Sequence, residues 1–135
     1  MKTIKMKSIV LLCLSTLLGS VLYADEFTQK DLDLWKAAYL SVVKEGRKVF
    51  TDPKLGTNTL ACNECHPSAT NTHPETYPKF QKQLGKVATI GEMINWCIAN
   101  PLEGTKMSLD DAKMTALIAY ITEERRNVKL DPGKH

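Results

Sequence analysis

Cys62-Asn63-Glu64-Cys65-His66 spells C-x-x-C-H, and this pentapeptide governs how the rest of the chain is read. The spacing is that of c-type haem attachment. Two thiols add across the haem vinyl groups to form thioethers, and the adjacent imidazole lies beneath the iron as proximal ligand. Zinc half-sites and thioredoxin-like redox pairs also use C-x-x-C. A zinc site needs a second ligand pair, and beyond the N-terminal segment the chain has only Cys97, His73 and His135 to offer, none of them paired. A redox dithiol has no need of His66. The motif therefore predicts haem c, with Cys62 and Cys65 as covalent anchors and His66 on the iron.

Covalent haem attachment belongs to an exported chain, and the N-terminus supplies that condition. Lys2, Lys5 and Lys7 precede an almost unbroken apolar run from Ile9 to Leu22, and Ala24 stands before Asp25-Glu26 as a small residue for cleavage. Residues 1–24 read as a cleaved signal peptide directing the chain to the periplasm, although Leu22 is larger than the residue preferred there and an uncleaved anchor is the competing reading. Cys13 follows Leu12, which argues against a lipoprotein signal. Residues 25–135 then form one small domain around one haem, whose burial would supply much of a limited core. Of the 18 Lys and Arg in the chain, three lie in the signal, which leaves as many basic as acidic residues. That balance gives no reason to expect nucleic acid or, after cleavage, a membrane as partner.

The remainder reads as helices and loops. From Thr28, Leu32, Trp35, Tyr39, Val42, Val43, Val49 and Phe50 recur at helix spacing, with Thr28 and Asp31 as an acidic capping box and Phe27 and Leu32 as a staple. Gly46 inside this helix costs roughly 1 kcal/mol relative to Ala, which predicts close contact with another helix. The last helix is expected to begin at Ser108, with Asp111 three residues on, and to end near Arg125 and Arg126. Thr89 and Glu92 form a second capping box, opening a helix that Asn100-Pro101 stops. A short helix is expected from about Pro78 to Leu84, ending at Gly85, and no strand pattern is evident. The predicted class is all-α. Helix, C-x-x-C-H and terminal helix with a central aromatic together resemble the small class I cytochrome c domain, which implies a helical fold wrapped around one covalently bound haem. In that family the first and last helices cross at Gly and aromatic positions, here Gly46, Phe50 and Tyr120.

With His66 on one face of the iron, the occupant of the other sets the potential. Met107 lies near the place of the usual class I methionine, but it directly precedes the expected cap Ser108, where a residue staples against the first turn. Met93 and Met114 read as core. Cys97 shares a face with Ile90, Met93, Ile94 and Ile98 on the helix opened by Thr89. An unpaired cysteine in an exported chain needs burial, a partner or a metal. Periodicity alone leaves ligand and core cysteine equally open.

Leu60 to His66, Tyr77-Pro78-Lys79-Phe80, Ile94-Asn95-Trp96-Cys97, Gly104 and Met114 to Ile121 together resemble the haem domain shared by periplasmic thiosulfate dehydrogenases and the cytochrome subunit of the sulfur-oxidising multienzyme complex. That resemblance implies that Cys97 is the distal ligand, giving His/Cys coordination, with Met107 the alternative. Two features depart from the family. Met93 and Pro101-Leu102-Glu103-Gly104 stand where relatives usually have an Arg and a Ser-Met-Asn-Gly-type stretch, and where relatives commonly carry a second haem domain or a longer chain this sequence shows one C-x-x-C-H. An anionic sulfur stabilises ferric iron and lowers the potential. The expected function is therefore a periplasmic monohaem electron carrier, linked to sulfur-compound oxidation, whose redox partner is another periplasmic cytochrome or a sulfur-oxidising enzyme. The alternatives are a thiosulfate-oxidising enzyme or its catalytic subunit, with Cys97 as the catalytic residue, and a haem-based ligand sensor. Among other polar residues, His73 reads as an exposed loop residue, and Lys79, Lys82 and Lys86 as a solvated helix face or a docking patch.

Overall fold

The computed structural model describes residues 27–130. The expected signal peptide, Cys13 and His135 lie outside the described residues. Helix α1, Gln29–Phe50, is opened by the Thr28 capping box: the Thr28 side chain accepts from the Asp31 N–H and the Asp31 carboxylate accepts from the Thr28 N–H. Short helix α2, Cys62–Cys65, carries the haem motif and runs into 3₁₀ turns at Pro67–Ala69 and Pro74–Thr76. Strands β1, Lys79–Gln81, and β2, Lys86–Ala88, pair antiparallel, with Lys79 opposite Ala88 and Gln81 opposite Lys86. Helices α3, Ile90–Ala99, and α4, Ala112–Glu124, complete the domain. No helix among the described residues is long and apolar enough to cross a membrane.

The α1/α4 crossing is the most extensive contact between elements. At Gly46 an added Cβ would stand 1.9 Å from the Ala116 carbonyl oxygen and 2.7 Å from Tyr120 Cβ, so only glycine lets the two backbones approach this closely. One turn on, the Phe50 and Tyr120 rings pack with centroids 5.0 Å apart. Phe50, Ala69, Leu117, Tyr120 and Ile121 form the core, against which Val43, Val49, Ile90 and Ile94 pack. Each large apolar side chain buried there contributes roughly 2 kcal/mol.

The crossing centres on the second half of α1, with the Tyr39 hydroxyl at mid-helix donating to the Ala119 carbonyl of α4 at 3.4 Å. At 1.5 Å per residue the 22 residues of α1 outreach the 13 of α4 by about 13 Å. Leu32 and Trp35, expected on the buried face, are consequently exposed, and Val42 within the second half of the helix is exposed as well. Phe27 meets Trp35 edge to face at 4.7 Å instead of serving as a simple staple on Leu32.

Two further expectations are corrected. Residues 79–88 form a hairpin, not a helix ending at Gly85. Its four-residue turn is built like a single helical turn, with the Gly85 N–H donating to the Gln81 carbonyl at 2.8 Å and Gly85 at φ +65°, so its punctuation imitates a helix start and stop. Helix α4 starts at Ala112, not Ser108. Asp111 is the N-cap and accepts from the Lys113 N–H at 2.7 Å, while the Ser108 hydroxyl is taken up by Asp110.

The Thr89/Glu92 box forms as expected, and Lys86 Nζ adds an ion pair 2.5 Å from Glu92. That lysine and the capped Thr89 N–H hold the Glu92 carboxyl down at about 2. Because the folded value lies below the ordinary 4.5, this stabilisation is complete above pH 4.5 and is lost as pH falls toward 2. The gap in thermal midpoint between wild type and Glu92→Gln, followed by circular dichroism, should therefore be widest at neutral pH and close in acid. Gly46→Ala should lower stability by about 2 kcal/mol or more, since the steric clash outweighs the gain in helix propensity. Thermal melts should show a fall in midpoint of roughly 10 °C.

Candidate haem site

The Glu64 carboxylate accepts from the Ala61 N–H at 3.1 Å, which starts α2 and places Cys62 on its first turn. The chain then leaves the helix through a backbone of unusual conformation. Ser68, Ala69, Asn71 and His73 all have φ between 47° and 62°, a region that costs a non-glycine residue on the order of 1 kcal/mol or more. Burial of Ala69 in the core and the bond from Thr72 Oγ1 to the Ala69 carbonyl, at 2.7 Å, hold this segment in place. Its result is the position of one carbonyl: Thr70 O lies 2.8 Å from His66 Nδ1. A carbonyl only accepts, so Nδ1 carries the proton and Nε2 keeps its lone pair free.

Cys62 and His66 line a cavity of about 460 Å³ together with Cys97, Met93 and Ile94 from α3. Phe50, Leu117 and Ile121 add an apolar wall from the helix crossing, and Tyr77, Lys79 and Gln81 a polar one from the hairpin side. The volume lies within the range of cofactor sites. Cys65 is exposed and does not line the cavity. Burial, with Cys97 nearby, pushes the Cys62 thiol up to about 11, and burial, with Cys65 nearby, also raises Cys97. The three thiols thus sit as one neighbourhood although Cys97 is distant in sequence.

That neighbourhood is built by cross-bracing. Thr57 N–H and Oγ1–H donate to the carbonyls of Leu102 and Glu103 at 3.0 and 2.9 Å, and Asn58 Nδ2 donates to the Pro101 carbonyl at 2.6 Å. At Gly56 a Cβ would stand 1.8 Å from the Leu102 oxygen, so here also glycine permits backbone contact. The loop entering the haem motif is therefore tied to the segment that leaves α3.

Met107 lines a different cavity, of about 360 Å³, with Val49, Asp52 and Leu55, and packs toward the core. Its backbone is clamped by Asn95, to which the sequence alone assigns no role. Asn95 Nδ2 donates to the Met107 carbonyl at 2.8 Å, and the Met107 N–H donates to Asn95 Oδ1 at 2.9 Å. The available signal was an Asn on the apolar face of the helix, between Ile94 and Ile98. Met114 is fully buried, as expected of a core methionine, whereas Met93 lines the cavity. His73 is buried, not exposed, with Nδ1 3.2 Å from Glu75 Oε1. Lys79, Lys82 and Lys86 do not form one helix face: Lys79 lines the cavity, Lys82 is exposed on the turn and Lys86 pairs with Glu92.

The family model of the SoxA/TsdA cytochrome c domain matches residues 45–130, and the chain belongs to this family. It is 32% identical over 73 residues to a thiosulfate dehydrogenase of Psychrobacter arcticus, covering 48% of this chain and 22% of that protein. It is 27% identical over 113 residues to the L-cysteine S-thiosulfotransferase subunit SoxA of Rhodovulum sulfidophilum, covering 82% and 39%. A thiosulfate dehydrogenase of Allochromatium vinosum is 27% identical over 128 residues, covering 77% and 47%. The chain thus spans less than half the length of these curated relatives. A cytochrome c domain implies covalently bound haem c, and the donors found here suit it: a pair of thiols, an imidazole with its metal-binding nitrogen free, and a predominantly apolar cavity.

Asn95→Ala leaves the Met107 N–H and C=O without partners. It should cost about 3 kcal/mol in urea unfolding, with Asn95→Asp, which keeps the acceptor, falling between this variant and wild type.

Proposed function

We propose that this chain is an exported monohaem c-type electron carrier with a low-potential haem, acting in sulfur-compound oxidation. Cys62 and Cys65 form the thioethers, His66 binds iron through Nε2, and Cys97 is the distal ligand. Residues 1–24 act as a signal removed on export to the periplasm, and residues 25–135 are the haem domain. The observation that carries this reading is the His66 Nδ1–Thr70 carbonyl bond. It fixes the tautomer and orientation that a metal-bound imidazole requires, within a loop held in a costly conformation to provide it.

When bound, haem supplies a one-electron couple. The protein residues hold it, exclude water with Phe50, Leu117 and Ile121, and bias it. A half-buried Cys97 thiol, its pKa raised by desolvation, keeps its proton on the bare chain, and coordination by a cation is what would displace that proton. The resulting thiolate favours the oxidised state. Cys97 is preferred to Met107 because it shares the cavity with His66, whereas Met107 lines another. The electron acceptor or donor is a further redox protein of the same compartment.

A second reading, the haem-bearing part of a thiosulfate-oxidising enzyme, is favoured by the names of the relatives and by Cys97 lining the cavity. Joining two thiosulfates releases two electrons while one haem takes one, so this reading requires a second acceptor. Met93, one turn before Cys97, also leaves that stretch of α3 without the positive charge an anionic substrate would favour.

Low-temperature electron paramagnetic resonance on wild type should give a thiolate-ligated low-spin signal that Cys97→Ala abolishes. The midpoint potential should rise in the variant by on the order of 100 mV or more. An unchanged signal would refute thiolate ligation. Thiosulfate turnover by the wild type with an added electron acceptor would favour the enzyme over the carrier.

A further inference from the structure

The polar wall of the cavity has no part in attachment or axial ligation. Tyr77, Lys79 and Gln81 stand at alternate positions of the chain entering β1, and all three line the cavity. The intervening Phe80 turns outward and is 64% exposed, so the alternation divides a cavity face from a solvent face. Lys79 is half-buried, with Nζ 4.8 Å from the centroid of the Tyr77 ring. Gln81 Nε2 donates to the Tyr77 phenol oxygen, which leaves the phenol O–H free to donate elsewhere. Of the Lys, Arg, Asp and Glu among the described residues, only Lys79 lines this cavity.

An apolar wall facing a fixed cation and a free hydroxyl donor suits a flat, apolar ligand with anionic groups along one edge. Haem is such a ligand, since its vinyl-bearing part is claimed by Cys62 and Cys65 while its two propionate carboxylates require partners of their own. We infer that Lys79, assisted by the Tyr77 hydroxyl, binds the haem propionates. This rests on the haem reading proposed above. Asn71, Thr72 and Gln83 also line the cavity, but a charge-assisted bond to a carboxylate is roughly twice as strong as a neutral one. A purely structural role, in which Lys79 only caps the Tyr77 ring, would leave the haem carboxylates and the iron couple unaffected. Binding the propionates instead places a positive charge against the anionic edge and favours the reduced state. The thiolate and the lysine thus act on the couple in opposite directions.

The test is redox titration of the haem-loaded chain with Lys79→Gln, Lys79→Arg and, as a control on the exposed turn, Lys82→Gln. Lys79→Gln should shift the reduction equilibrium about tenfold toward the oxidised form, a fall of roughly 59 mV for one electron. Lys79→Arg should stay near wild type, and Lys82→Gln should move it less than about twofold. Redox-difference infrared spectra should show the haem carboxylate bands displaced in Lys79→Gln and unmoved in Lys82→Gln. Equal shifts in Lys79→Gln and Lys82→Gln, or carboxylate bands unmoved in Lys79→Gln, overturn the inference alone. A wild-type chain that takes up no covalent haem when expressed with the maturation machinery overturns both this inference and the reading beneath it.

Discussion

The close approach of two helix backbones at Gly46 and Ala116 is the constraint on which the rest of the domain depends. It brings Phe50 against Tyr120 and turns Phe50, Leu117 and Ile121 toward the space between α2 and α3. The same contact leaves the first half of α1 projecting past α4, because one helix is much longer than the other and their crossing lies in the second half of α1. Packing density at the crossing and solvent exposure beyond it are thus two consequences of one geometry.

Around that crossing the site is assembled from segments with little regular structure, each fixed by polar contacts. The left-handed residues after the C-x-x-C-H motif are costly taken singly, and burial of Ala69 in the core offsets that cost. What the segment delivers is the Thr70 carbonyl under His66. The ties from Thr57 and Asn58 to residues 101–103, and from Asn95 to Met107, do the same for the other side, fixing where α3 ends and how the chain leaves it. Membership of the SoxA/TsdA cytochrome c family accords with this architecture. The chain covers less than half of its curated relatives' length.

Local chemistry made much of this legible. Thr28 with Asp31, and Thr89 with Glu92, announced helices that do form, because a capping box satisfies orphan N–H groups with residues three apart and needs nothing distant. Gly46 was legible because glycine in a helix is costly and so implies a neighbour. The hairpin at residues 79–88 was not, since a four-residue turn closed by Gly85 carries the same signals as a short helix, and only pairing with β2 decides between them. The exposure of Leu32 and Trp35 was hidden as well: periodicity marks a face but does not say whether anything lies against it. The burial of His73 has no local signal, because it comes from the fold of the loop and not from its neighbours in sequence.

The sequence by itself determined the haem motif, the chain's predominantly helical character, both capping boxes, the two helices that cross, and Cys97 as the thiol to watch. These rest on spacings of three, four and five residues, over which backbone geometry is nearly independent of context. The tertiary structure alone decided that Cys97 and Met93 share the cavity with His66 while Met107 lines another, that Thr70 orients the imidazole, and that Lys79 faces inward. Each of these joins residues that the chain keeps apart or aims through an irregular loop, and such positions follow from the packing of the whole domain rather than from any local preference.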